Sequence, residues 1–190
     1  FFEPIILTKV LLLTNNSLTY ITKEYGIYNA YSISLLLFPS FFISAISNAL
    51  LPEISKLHST NNPTLVKKRI KQALLCSLIV GLICTIFIYY NSSFLLDKLY
   101  KTTEGLNYIK ILAPFFILFY LESPLTTTLI ALNKIKTCTF ISTTGIFLKL
   151  LVLAILGLLG FRIYSLIYAE IINIIYVTFL DFLFLKRALK

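Results

Sequence analysis

Six stretches of this chain, at about 2–22, 28–51, 72–91, 108–132, 138–160 and 164–185, stay apolar over long runs. About twenty residues is what an α-helix needs to cross a hydrocarbon layer of roughly 30 Å. In hydrocarbon, backbone N–H and C=O groups must be satisfied within their own segment or in a closed barrel. Barrel strands would read as alternating segments of about 10 residues, which these uninterrupted runs are not. The pattern therefore predicts an all-α fold, a polytopic membrane bundle of about six transmembrane helices. Composition agrees, with 58% hydrophobic and 13% charged residues where soluble domains carry about a quarter charged. No soluble interior could hide that much Ile, Leu and Phe.

Turn and charge signals fall between the runs. Tyr25-Gly26 is the expected break between the first pair. Pro52 opens a polar stretch that includes His58 and Asn61-Asn62-Pro63. Residues Asn91 to Asn107 read as a polar connection with Gly105, and Asn133-Lys134-Ile135-Lys136 and Gly160-Phe161-Arg162 as tight turns. Basic residues collect on alternate connections. Lys56, Lys67, Lys68, Arg69, Lys71, Lys134, Lys136, Lys186, Arg187 and Lys190 share one side, against Lys23, Lys98, Lys101 and Arg162 on the other. Cytoplasmic loops carry the excess of Lys and Arg, so both ends of the chain are expected in the cytoplasm. The net charge of +9 is read the same way, and no nucleic-acid partner is expected. Residues 64–72 carry apolar residues on one helical face and Lys67, Lys68, Arg69 and Lys71 on the other. They read either as a short helix on the anionic inner leaflet or as an ordinary basic flank of the third run.

Charged groups at membrane depth cost several kcal/mol and usually face a cavity or a partner. Lys9, Asn16, Glu122, Lys149 and Glu170 are the candidates for lining a substrate cavity. Lys9, Asn16 and Lys23 stand at seven-residue steps, with Thr19 between them, so the first helix is expected to carry one polar stripe from its middle to its outer end. The competing reading is that Lys149 or Lys9 simply pairs with Glu122 or Glu170 between helices. Asp181 reads as an interfacial residue reaching the headgroups. Pro39, Pro114 and Pro124 fall inside apolar runs, where each removes a donor and loosens a turn, so they are candidate helix kinks.

No phosphate-cradling Gly-rich loop occurs, and with His58 as the single histidine no HExxH or Ser/His/Asp arrangement can form. An enzyme is not expected, nor a metal or other cofactor. Cys76, Cys84 and Cys138 show no CxxC spacing and read as small apolar core residues. The chain contains no Met and opens directly into an apolar run, which suggests a piece of a longer protein. It lacks the basic leader and cleavage site of a signal peptide.

The runs Tyr25-Gly26-Ile27-Tyr28-Asn29-Ala30-Tyr31, Leu35-Leu36-Leu37-Phe38-Pro39-Ser40 and Ile46-Ser47-Asn48-Ala49-Leu50-Leu51-Pro52-Glu53-Ile54-Ser55-Lys56 resemble a known family. So does the stretch from Tyr120-Leu121-Glu122-Ser123-Pro124-Leu125 to Asn133-Lys134. These residues are similar to the C-terminal half of the stage V sporulation protein B-like flippases. That family belongs to the polysaccharide-transporter branch of the multidrug/oligosaccharidyl-lipid/polysaccharide exporter superfamily. The resemblance implies that residues 1–190 form a C-terminal six-helix lobe facing an N-terminal lobe across a central cavity. It implies export of lipid-linked sugar precursors of the bacterial cell envelope by alternating access. Lys9 and Lys149 would meet the substrate pyrophosphate, with membrane lipids and the first lobe as the other partners. Glu122 departs from the amide more usual in the family. Two other functions fit the residues, a multidrug or cation antiporter relying on Glu122 and Glu170, and a non-transporting scaffold for envelope assembly.

Overall fold

A computed structural model describes residues 2–189; Phe1 and Lys190, the last of the basic residues counted above, lie outside them. Every regular element among the described residues is helical. They are α1 (Phe2–Leu13), α2 (Leu18–Gly26), α3 (Ser34–Leu37), α4 (Ser40–Ser59), α5 (Pro63–Tyr100), α6 (Leu106–Ala131), α7 (Ile135–Leu158) and α8 (Tyr164–Ala188). A π-helical segment, Ile27–Ile33, joins α2 to α3. Helices α5 to α8 are each long and apolar enough to cross a membrane, and α2 through α4, bent by 50° at a short break, make a fifth if the pair is one span rather than a re-entrant loop. The described part of α1 is 12 residues, about 18 Å long. The all-α membrane bundle expected from the apolar runs is therefore the fold.

The first connection differs from its expected place. Tyr25 and Gly26 lie inside continuous helix, with Gly26 in ordinary right-handed geometry (φ −61°, ψ −48°). The chain turns instead at Thr14–Ser17. There Asn15 adopts a left-handed φ of 60°, a region Asn tolerates better than most side chains. Asn16 Nδ2 donates to the carbonyl oxygen of Leu11 at 3.2 Å and so satisfies the open end of α1. Ser17 then accepts from the Tyr20 amide and caps α2. Because the chain reverses here, Lys9 and Lys23 belong to different helices, and the single polar stripe is not formed.

Residues 91–100, expected in a polar connection, continue α5 as helix, and residues 64–72 are its first turns rather than a separate surface helix. The reason is local. Pro63 occupies the first turn, where its missing N–H costs nothing, and the next stop comes only at Lys101 (φ 56°). The result is a 38-residue rod of about 57 Å. Its basic flank extends past the hydrocarbon.

The centre of the bundle is α6 and α8. In their most apolar windows 39% and 44% of residues are buried, against 28% and 22% in α5 and α7. Side chains such as Phe41 (77% exposed) and Phe147 (70%) point out of the bundle, which in a lipid solvent needs no cover. Close approach between helices rests on glycines. A Cβ on Gly81 would lie 2.8 Å from the Tyr120 ring between α5 and α6, and one on Gly157 would lie 2.5 Å from Val10 between α7 and α1. Of the three cysteines, Cys138 is buried as expected of a core residue, Cys84 is half-buried and Cys76 is exposed.

The connections gather at two ends. At one, the α4–α5 turn, Leu132 and the last residues of α8 surround a common pocket. At the other, Glu24, Thr103, Gly105 and Tyr164 do the same. The first end carries the basic group of loops.

Candidate functional site

The buried apolar residues form two clusters. One joins α1, α2, α5, α6 and α8 through residues such as Leu11, Tyr28, Leu112, Phe116 and Leu166. The other lies toward the basic end, around Ile54, Ile70, Leu129 and Leu185. Two groups of polar side chains sit within the bundle, one tied to α1 and one where the clusters meet.

The first group is an ion cluster. The Lys149 ammonium, on α7, is paired with both Glu3 of α1 and Glu170 of α8, and the three side chains are only 14%, 23% and 15% exposed. The pairing follows from helix direction. Glu3 and Val10 of α1 meet Lys149 and Gly157 of α7, so these two run parallel, while α8 returns antiparallel and brings Glu170 opposite Lys149. Removing one partner of such a buried pair leaves an uncompensated charge, which is why the set holds together. One ammonium thus faces two carboxylates. One helical turn on from Glu170, the Asn173 Oδ1 is buried with no hydrogen-bond partner.

The second group lines a pocket of about 310 Å³ between the start of α4 and the middle of α6, with Ser40, Ser44, Glu122, Ser123 and Thr127 on its wall. Ser123 Oγ donates to Ser47 Oγ at 2.8 Å and ties α6 to α4. Thr126 Oγ1 donates to Asp181 Oδ2 at 2.9 Å and ties α6 to α8. Asp181 is 1% exposed, which corrects its reading as a headgroup-facing residue: α6 covers it, and Thr126 supplies the hydrogen bond that a buried carboxylate needs. Glu122 lies within electrostatic reach of both Asp181 and Glu170. Among the described residues no cation forms an ion pair with it.

The five residues singled out in the sequence thus divide. Lys149 and Glu170 come together, the pairing that was one of the two readings of the charges, with Glu3 as a member that sequence reasoning passed over. An acid inside an apolar run was the signal available for it. Glu122 stands in the neighbouring pocket. Lys9 is exposed on α1, and Asn16 is engaged in ending that helix. Among the prolines, Pro39 sits at the 50° bend before α4. Helix α6 runs unbroken through Pro114 and Pro124, and Thr128 Oγ1 donates to the Pro124 carbonyl oxygen at 2.7 Å.

The model of the MatE family matches residues 4–156. Over 133 residues the chain is 33% identical to Stage V sporulation protein B of Bacillus subtilis (strain 168), covering 70% of this chain and 26% of that protein. Over 134 residues it is 23% identical to Sporulation protein YkvU of the same organism, covering 70% of this chain and 30% of that protein. The matched stretch is therefore under a third of the length of either relative. No solved structure matches the chain.

Proposed function

This chain belongs to the MatE family, and from that premise we propose that it is the C-terminal lobe, residues 1–190, of a two-lobe membrane transporter. Its cargo is a lipid-linked precursor of the bacterial cell envelope, a peptidoglycan precursor or a polysaccharide repeat unit, moved by alternating access. The similarity to Stage V sporulation protein B supports this branch of the superfamily. The protein lies in the plasma membrane with the basic end, and so the end of α8, in the cytoplasm.

The observation that carries the reading is the ion cluster of Glu3, Lys149 and Glu170. Charge at membrane depth is expensive and is kept where a pathway uses it. Here it joins three helices, α1, α7 and α8, in one set. A pyrophosphate entering between the lobes would compete with the two carboxylates for Lys149. That exchange of partners would loosen α1 from α7 and α8, a local event able to bias two arrangements of the lobes. Lys9, exposed on α1, would be a second cation for the same substrate.

The test is complementation with the full-length protein in bacteria whose own peptidoglycan-precursor flippase can be shut off. Survival with falling precursor on the inner leaflet would establish the cargo. Well-expressed protein that rescues nothing would remove peptidoglycan precursor from the proposal. A second reading, a cation-coupled drug antiporter, draws on Glu122, which lines the pocket between α4 and α6 beside Thr126, the hydrogen-bond donor to Asp181. Drug export lost in Glu122→Gln, with envelope synthesis unchanged, would favour it.

A further inference from the structure

Along the basic half of the bundle α6 packs against both α5 and α8 and lies between them as a floor. The resulting groove holds two adjoining hollows. The inner one, about 510 Å³, is almost wholly apolar, walled by Leu75 and Leu78 of α5 and by Ile175 and Phe179 of α8 over Leu121 and Leu125 of α6. The outer one, about 450 Å³, shares Lys71, Leu74 and Phe182 with it and opens at Lys67 and Lys186. A long apolar trench thus ends in lysines contributed by both walls. All three lysines are exposed, and among the described residues none forms an ion pair. Arg69, on another face of α5, is paired with Glu53 at 2.7 Å and takes no part.

We propose that this groove binds one anionic phospholipid from the leaflet at the basic end. An acyl chain lies along the Leu78–Leu121–Phe179 trench and the headgroup phosphate sits among Lys67, Lys71 and Lys186. The match is one of charge and of shape. A trench of this polarity suits a hydrocarbon chain, and basic pockets between crossing helices on the cytoplasmic side suit anionic headgroups. The inference is independent of the cargo, since the groove opens to lipid between α5 and α8, whereas the ion cluster joins α1, α7 and α8.

Native mass spectrometry of the full-length protein in mild detergent tests it, with phosphatidylglycerol and phosphatidylcholine titrated separately. One tightly held phosphatidylglycerol is expected, favoured over phosphatidylcholine on the order of a hundredfold, from three lysines near one phosphate. Lys67→Gln, Lys71→Gln and Lys186→Gln together should cut that preference to about threefold or less. Leu78→Trp, which fills the trench, should weaken both lipids. Inorganic phosphate at millimolar concentration should displace neither. Equal binding of the two lipids, a preference unmoved by the lysine changes, or no retained lipid because the rest of the protein covers the groove would each overturn the proposal.

Discussion

The hydroxyl of Tyr120 donates to the carbonyl oxygen of Leu36 at 2.6 Å, so a carbonyl at the break before α4 is satisfied from α6, while that of Leu35 accepts from the Phe38 amide at 3.4 Å. Pro39 has no N–H to offer the preceding turn. The bend before α4 is braced by a side chain that also packs against Gly81 of α5. Tyr120→Phe keeps the ring and removes the donor. It should cost about 1–3 kcal/mol, the penalty of a buried carbonyl left without a partner, read as a lowered unfolding midpoint in detergent. Tyr168→Phe, at an exposed position, should leave the midpoint unchanged.

Lys149→Met should destabilise the protein by about 3–5 kcal/mol, because it leaves the Glu3 and Glu170 carboxylates together without their cation. The combination Glu3→Gln, Lys149→Met and Glu170→Gln should recover most of that stability while transport stays lost. Denaturation and transport assays on the same preparations separate the two effects. A triple variant that transports normally would remove the ion cluster from the mechanism.

Gly157→Leu should push α1 away from α7, since its Cβ would lie 2.5 Å from Val10 Cγ1. Overpacking of this kind costs about 1–3 kcal/mol. Val10→Ala in the same chain should restore part of the loss, a rescue that a merely local defect in α7 would not show.

Two substitutions test where the first turn lies. Asn15→Val forces a β-branched residue into a left-handed φ of 60° and should cost about 1–2 kcal/mol. Gly26→Ala should instead be neutral or stabilising by about 0.5–1 kcal/mol, because Gly26 is helical and its Cβ would meet nothing within 4 Å. A turn at Tyr25-Gly26 would give the reverse pattern in thermal unfolding.

Orientation is readable by cysteine labelling. With a membrane-impermeant maleimide, Thr103→Cys should react in intact cells and Ser59→Cys only after permeabilisation. Both positions are exposed, at opposite ends of the bundle. The opposite result would invert the assignment drawn from the basic loops.

How much of this was legible beforehand depended on the range of the interaction. The turns at Asn61, Asn133 and Gly160 announce themselves through residues that accept a left-handed backbone, and each one does so. The same signal stands at Asn15, but its neighbour Asn16 reads equally well as membrane-embedded polarity, because Asn serves both purposes and local sequence does not separate them. Residues 91–100 carry the composition of a connection, yet they are helical. Polar residues at a membrane surface are as free to stay helical as to leave the helix.

The apolar runs by themselves determined the solvent, the helical class and the approximate number of crossings. Each of these follows from the cost of unsatisfied backbone in hydrocarbon, which is paid residue by residue along the chain. What sequence could not decide was partnership. Lys149 had Glu122 and Glu170 as evident acids and took Glu170 with Glu3, because α1 runs parallel to α7 and sets Glu3 at its level. Asp181, five residues from the nearest basic side chain in sequence, is buried under α6 rather than drawn to the headgroups. Both outcomes depend on which faces of separate helices meet and at what height. A periodic pattern shows which residues share a face, but only packing decides what that face is turned toward.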